Sequence, residues 1–590
     1  MIFFFQDWKY YVDKLNISTG YTGWALKMFD ASGKLPGTGV LEGSFASLPG
    51  NVNSCLEVAA STFRGQWCNF YIYSLQTNNN EILKERLGNV GQLNYGQVLQ
   101  LLETKNTRDI FSQILSALTQ LGNVQTGQCV PDSCTGEEMM AIYNQLLNPQ
   151  HAGAYFAEGA TFCKRNDDAI ELSSSDWTVI ALIAFFATLI LIGTITDLYL
   201  RHWSIAEKYQ EHTFVVVFQG FSLYLLFQKI FHVSENKDNL GCINGIRFLS
   251  MAWVIIGHTY FLILSTPPYL ANNAVIVNFL ESYGMRTIFN ATPSVDSFFL
   301  IGAVLLSYLT LQQLEKQNGG SVKFWVMFYV HRYIRLTGVY AVAIAIHATI
   351  LRHLTTNQSQ IFEGVRYTCK DDWWTNILYI NNFKEFLNTN DCMGHTWYMA
   401  NDMQMFLVSP FFIYAMYKVP LIGVALTSLV VIASTSYRAW WYSEEQEHIA
   451  DSNDMYSKEL ADFDYVYDKP WTRVAPYATG LLVGWLLHFT KGKKIPKSWV
   501  NISIAIFINF CAILTLYLVV YGHDPQSQEE NFKNITYKTL FRTAWGIGLG
   551  LIIVTCAKVT LKLNCLLILL IIKGEKLNGK NTLTSALVGE

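Results

Sequence analysis

The sequence predicts a mostly α, polytopic helical membrane bundle of about nine spans. A disulfide-containing, mainly helical N-terminal domain precedes it on the lumenal or extracellular side. Three observations carry this prediction. Of 590 residues, 51% are hydrophobic and only 15% charged, against roughly 25% charged in soluble proteins, and the mean hydropathy is +0.21. Apolar runs long enough to cross a hydrocarbon layer of about 30 Å recur from residue 177 onward. Five cysteines (Cys55, Cys68, Cys129, Cys134 and Cys163) fall before the first of those runs, in a stretch of ordinary polarity. The net charge of −3 gives no electrostatic ground for a nucleic-acid partner.

Residues 1–170 read as the separate N-terminal domain. Trp8 to Leu15, Trp24 to Phe29, Thr107 to Leu121 and Gly136 to Leu147 are helix candidates. Thr135-Gly-Glu-Glu138 supplies an N-cap and an acidic first turn to the last of them. Gln66 to Tyr73 alternates with aromatics as a short strand does. The cysteines lack the close spacing of a zinc site, so disulfides are expected and no metal. An odd count of five leaves one thiol over or one partner outside this set. Met1 to Phe5 is too short for a signal peptide, which reads as truncation at the front.

Trp177 to Leu200 is the first membrane helix, and 201–245 is a linker with an amphipathic helix over 213–231. Eight further spans are predicted at 246–266, 293–312, 333–353, 396–417, 420–440, 471–489, 499–521 and 537–559. Loop charge sets their orientation. Arg201, Lys208, Lys316, Lys323, Arg332 and Lys491 to Lys494 fall on one side, the cytosolic one. The acidic stretch Glu444 to Asp468, the loop holding Cys369 and Cys392, and the glycosylation tripeptides at Asn290, Asn357 and Asn534 fall on the other. Cys369 and Cys392 share one loop and are expected to pair.

Ionisable residues inside spans are costly and point to function. Arg247 and His258 are eleven residues apart, on one helix face and roughly 16 Å from each other. Asp402 lies about six residues into its span from the lumenal end, at a depth similar to that of His258. That depth suggests a His258–Asp402 pair, a carboxylate orienting an imidazole that titrates near neutrality. Arg473, Arg542 and Asn401 join them as candidate lining of a lumenal substrate cavity. Arg332 and Arg335, at i and i+3 near the cytosolic base of a span, form a fork suited to phosphates. The same pair also reads as a positive-inside anchor.

Several motifs together resemble the nose resistant to fluoxetine family, in which an N-terminal domain precedes a membrane domain of the acyltransferase-3 family. In the N-terminal part they are Trp24 to Lys34, Gly65-Gln-Trp-Cys68 and Cys129-Val-Pro-Asp-Ser-Cys134. In the membrane part they are Gly245 to His258, Ser294 to Phe299, Arg332-Tyr-Ile-Arg335, Trp373 to Asn382, Thr396 to Gln404 and Asp468-Lys-Pro-Trp471. On this resemblance 246–560 is an acyltransferase-3-like domain and 561–590 a divergent tail.

The resemblance implies transfer of an acyl group, commonly acetyl, from cytosolic acyl-CoA to a hydroxyl-bearing lipid, glycan or small molecule. Arg247, Arg332 and Arg335 would hold the donor, and His258 would be the general base. Membrane lipids and an acceptor of unknown identity are the implied partners, at the plasma membrane or the endoplasmic reticulum. A transporter or carrier of lipids or xenobiotics, and an inactive binding protein, are the competing readings. The chain departs from the family at Leu300-Ile-Gly302, at His395 and after about residue 557, where the apolar run 565–572 is too short to span. A bundle missing one or two helices is expected from that ending.

Overall fold

The structure is a computed structural model. It describes residues 27–32, 47–48, 51–60, 63–74, 124–135, 138, 155–158, 163–165, 172–202, 213–232, 241–265, 285–351, 363–389, 392–449, 463–492, 499–521 and 532–558, apart from a few single positions. The chain divides into two units. One comprises 1–171, 258–285 and 355–362, and the other 172–257, 286–354 and 363–590.

The first unit contains β1 (Ser47–Leu48), α1 (Val52–Leu56), β2 (Gly65–Ser74), β3 (Val124–Pro131), β4 (Tyr155–Glu158) and β5 (Cys163–Arg165). Its sheet runs β1-β3-β2-β4, with β5 also on β2. Central β2 is antiparallel to β3, β4 and β5. The alternation at 66–73 thus marks a real strand. Helix candidates 8–15 and 107–121 lie outside the described residues, so what is described of this region is mostly sheet. Residues 136–147 are described only at Glu138, where the expected start of a helix is present. Thr135 Oγ1 accepts from the Glu138 amide, and the Glu138 carboxylate accepts from the Thr135 amide. That backbone bond holds the Glu138 carboxyl below its ordinary range.

Cys55–Cys129 ties α1 to β3, and Cys68–Cys163 ties β2 to β5 at directly facing positions. Met28, Val52, Leu56, Phe63 and Trp67 pack around the first bridge. Cys134, expected among the bridged cysteines, is a buried thiol instead. Four of the five cysteines satisfy one another, and the Cys134 carbonyl accepts from Gln66 Nε2 at 2.9 Å.

Thirteen α-helices follow among the described residues: α2 (Ser174–His202), α3 (Thr213–Gln219), α4 (Leu223–Phe231), α5 (Gly241–Ser265), α6 (Thr292–Lys316), α7 (Val322–Ala348), α8 (Glu363–Ile377), α9 (Lys384–Leu387), α10 (Trp397–Lys418), α11 (Pro420–Ile449), α12 (Pro470–Phe489), α13 (Trp499–Tyr521) and α14 (Phe532–Lys558). Each of the nine predicted runs falls on one of these helices. Among the described residues, α2, α6, α11, α13 and α14 are long and apolar enough to cross a membrane. The other four predicted spans fall on α5, α7, α10 and α12. The stretch 213–231 is a bent pair, α3 and α4 meeting at 61°. Buried Asp197 of α2 anchors it by accepting from Ser222 Oγ at 3.0 Å.

Helix α12 organises the bundle. Gly480 and Gly484 let its backbone approach α6 so closely that an added Cβ would lie 2.8 Å from Cβ of Ala303 and of Ser307, respectively. Small residues four apart on facing helices give this kind of contact in lipid, where packing replaces the hydrophobic drive. Contact positions on the two helices advance together, from Asp296/Arg473 to Leu300/Gly480 to Val304/Gly484, so α6 and α12 run parallel. Helix α14 packs on α12 in the same sense, with Gly546 against Pro476 and Gly550 against Val483. Helix α13 returns antiparallel to α14, with Gly548 on Leu516 and Thr555 bonded to Asn509. Large apolar side chains such as Phe185, Leu191, Phe411, Leu429 and Phe507 face outward, as lipid contact requires.

Candidate active site

Helices α7 and α10 meet through a salt bridge between two of the predicted site residues. Arg332 Nη2 donates to Asp402 Oδ2 at 2.5 Å, with the side chains 28% and 14% exposed. The guanidinium lies 4.3 Å from the centre of the Phe406 ring, and that ring stacks on Phe328 at 4.6 Å. Phe328 and Arg332 are one turn apart on α7, as Asp402 and Phe406 are on α10. The helices therefore interlock ring on ring and charge on charge. Arg332 Nε is buried and has no hydrogen-bond partner among the described residues. Tyr398, one turn before Asp402, stacks on Phe299 at 4.6 Å and lies within electrostatic reach of Arg332, Asp402 and Arg247.

This contact corrects two expectations. Asp402 pairs with Arg332, where a partnership with His258 was expected. Arg332 is also not at the base of its helix. Helix α7 begins at Val322, eleven residues before the predicted start, so Arg332 sits ten residues in, about 15 Å along the axis. Arg335, one turn further along, is exposed. His258 is an exposed residue of α5, and its chain neighbour Gly257 packs against Ala291, where an added Cβ would come within 2.7 Å.

A second polar layer holds the ends of α10 and α12 together. Asn382 Nδ2 donates to Asn401 Oδ1 at 2.9 Å, and Asn401 Nδ2 to the Asp468 carbonyl at 2.8 Å. Gln404 Nε2 donates to Asn382 Oδ1 at 2.8 Å. Lys469 Nζ donates to the Asn382 carbonyl at 2.6 Å and lies 2.9 Å from Asp468 Oδ1. Asn376 Nδ2 reaches Tyr340 Oη at 2.9 Å and the Cys392 carbonyl at 2.8 Å. Cys392 is bridged to Cys369, the expected pair. Asn401 is thus fully buried with both polar atoms engaged, a packing residue and not the cavity lining expected of it.

The third cluster includes Arg473 and Arg542. Arg473 Nη1 donates to Asp296 Oδ1 at 3.0 Å with both side chains fully buried, and its Nε donates to the Tyr467 carbonyl at 2.7 Å. The Tyr467 ring lies 4.4 Å from the Arg473 guanidinium and 5.8 Å from that of Arg542. Arg438 of α11 completes the cluster, its Nη2 donating to Thr543 Oγ1 at 2.8 Å. Sequence reasoning missed Arg438, although an arginine eighteen residues into an apolar run is itself a signal. Two of the glycosylation tripeptides assigned to the lumenal side are likewise engaged in packing. Asn534 is buried, and Asn290 donates its amide to the Val520 carbonyl at 2.6 Å; Asn357 lies outside the described residues.

An apolar groove of about 330 Å³ runs between α10, α11 and α12, lined by Val408, Phe412, Thr427, Val430, Trp471 and Val474, among others. Its size is at the lower end of the range for small-molecule sites. Among the described residues no three His, Cys, Asp or Glu side chains converge as metal ligands would.

Comparison with known families places these features. Residues 240–570 match the family described as the acyltransferase domain, and residues 5–143 match the N-terminal domain of the nose resistant-to-fluoxetine protein. The chain belongs to this acyltransferase family. Within it, the chain is a nose resistant to fluoxetine relative. It is 24% identical over 573 residues to nose resistant to fluoxetine protein 6 of Caenorhabditis elegans, covering 90% of this chain and 68% of that protein. It is also 24% identical over 323 residues to the regulator of hypoxia-inducible factor 1 of the same organism, covering 52% and 61%. No solved structure matches. The acyltransferase match continues to residue 570, past the departure expected near 557. The protein is a membrane protein with an acyltransferase-like role.

Proposed function

We propose that the protein transfers an acyl group, acetyl in the simplest case, from acyl-CoA to the hydroxyl of a lipid, glycan or small-molecule acceptor. The observation that carries this reading is the Arg332–Asp402 couple in the interior of α7 and α10, inside the acyltransferase match and within electrostatic reach of Tyr398. Asp402 engages Nη2 of Arg332, and its buried Nε is left to serve a ligand in this reading. Such a preorganised donor suits the oxygen of a thioester carbonyl as it gains charge during attack. Arg247 and Arg335 assist in holding the donor.

His258 is the general base in this proposal. It takes the proton of the acceptor hydroxyl as that oxygen attacks the thioester carbonyl. The carbon–sulfur bond then breaks, and the coenzyme A thiolate leaves with the proton. Imidazole has the right intrinsic range for both transfers. The three disulfides support a location in which the N-terminal domain and the Cys369–Cys392 segment face the lumen or the cell exterior, at the endoplasmic reticulum or the plasma membrane.

Membranes carrying the native chain or His258→Ala, supplied with labelled acetyl-coenzyme A, test the reading. Label in an acceptor with the native chain, absent with the variant at equal insertion, is the expected result. Equal labelling by both would remove His258 from the mechanism. No labelling by either would turn the reading toward a carrier.

A further inference from the structure

The arginines of the third cluster outnumber their counter-ions. Arg438, Arg473 and Arg542 are at most 3% exposed, and Asp296 is the one carboxylate paired with them among the described residues. Five guanidinium nitrogens, Nε and Nη1 of Arg438, Nη2 of Arg473, and Nε and Nη1 of Arg542, are buried without a hydrogen-bond partner there. Four helices bring these groups together. Asp296 comes from α6, Arg438 from α11, Arg473 from α12 and Arg542 from α14. Arg473 and Arg542 flank the same Tyr467 ring, and Arg438 bonds the residue next to Arg542.

Isolated buried cations are strongly disfavoured, so an arrangement that keeps three of them around one aspartate is built for an anion. A carboxylate would bring one charge and two acceptor oxygens. A phosphate brings up to two charges and at least three acceptor oxygens, and guanidinium forks match its geometry. The surplus of charge and the five open nitrogens fit phosphate better. The apolar groove lies on the same side of α11, because Thr427 in its lining and Arg438 are eleven residues apart on one helix face.

We propose that Arg438, Arg473 and Arg542 form a buried phosphate-binding site, and that the acceptor of the acyl group carries a phosphate. The identification of this ligand as the acceptor rests on the acyl-transfer reading; the binding itself does not. The phosphate belongs either to a lipid headgroup, whose chains would occupy the groove, or to a water-soluble ester.

Binding is measured on the full-length protein in neutral detergent without acyl donor, by native mass spectrometry and by the unfolding midpoint. The probes are inorganic phosphate, a short-chain phosphatidic acid, and a diacylglycerol with the same chains. Phosphatidic acid is expected to bind one to one and raise the midpoint, and the diacylglycerol to do neither. Arg438→Gln and Arg542→Gln are each expected to weaken phosphatidic acid binding by roughly tenfold or more. Arg438→Lys, which keeps the charge and loses the planar fork, should fall between. Removing an unpaired buried cation relieves a desolvation penalty, so Arg438→Gln should also fold at least as well as the native chain. Binding of inorganic phosphate as tight as that of phosphatidic acid would support the site and assign it to soluble esters. Failure of both phosphate probes to bind, or equal binding by the native chain and Arg438→Gln, would overturn the proposal. Absence of acyl transfer by the native chain, with phosphate binding intact, would overturn the acyl-transfer reading alone.

Discussion

Replacing Gly480 by alanine tests whether the α6–α12 seam sets the polar interior. The new Cβ would stand 2.8 Å from Cβ of Ala303 and closer still to the Leu300 carbonyl oxygen. Carbon atoms in contact prefer about 3.5–4.0 Å, so the helices must separate by roughly 1 Å. Overpacking of this kind costs about 1–3 kcal/mol. Two turns away on the same seam, the fully buried Asp296–Arg473 bridge at 3.0 Å would lengthen with it. Gly302 of α6 is an internal control, because an added Cβ there meets nothing within 4 Å. Alanine at that position should change only helix propensity, in the favourable direction by up to about 1 kcal/mol. Titration of the purified variants with a denaturing detergent should therefore move the unfolding midpoint down for Gly480→Ala and leave it unchanged or raised for Gly302→Ala. Equal midpoints for the two variants would refute the close-packing argument.

Further predictions follow from the other contacts. Asp402→Asn and Arg332→Gln should each depress acyl transfer, and the double variant should lose much less than the sum, because either change alone leaves its partner uncompensated; additive losses measured in a double-mutant cycle would separate the two residues. Asn401→Ala should lower stability by about 1–3 kcal/mol through the unsatisfied groups left at Asn382 and Asp468. Among the chains that fold it should leave the apparent affinity for acceptor unchanged, which steady-state kinetics would check. Non-reducing peptide mapping should recover Cys55–Cys129, Cys68–Cys163 and Cys369–Cys392, with Cys134 alkylated only after unfolding. Loss of the Cys369–Cys392 bridge by Cys392→Ser should cost about 3 kcal/mol, the loop-closure value for a span of 23 residues.

What the sequence made legible was set by periodicity and length. Apolar runs of about twenty residues announce helices whatever their neighbours, so every predicted span overlaps one. Partnership across helices was not legible. Depth was counted from the apparent end of the run at 333, whereas Ser321 caps α7 with a bond to the Phe324 amide and starts the helix much earlier. That displacement carries Arg332 from the base of the helix into its interior, where Asp402 waits on α10. Asn401 looked like cavity lining because a polar residue in a span suggests water. Its actual partners, Asn382 and the Asp468 carbonyl, are 19 and 67 residues away in sequence. In the N-terminal region, β2 shows aromatic alternation, but β3, with Gln-Thr-Gly-Gln at its start, has no such pattern and is specified by pairing to β2.

Release of the coenzyme A thiol by the purified protein in liposomes, with acetyl-coenzyme A as donor and a candidate acceptor present, is the most direct test of the central claim. Native chain, His258→Ala and Asp402→Asn would be compared at equal insertion. Thiol release matched by acetylated acceptor in the native chain, and absent from both variants, is the predicted result. Thiol release undiminished in both variants would contradict the account, since the chemistry would then run without the residues assigned to it.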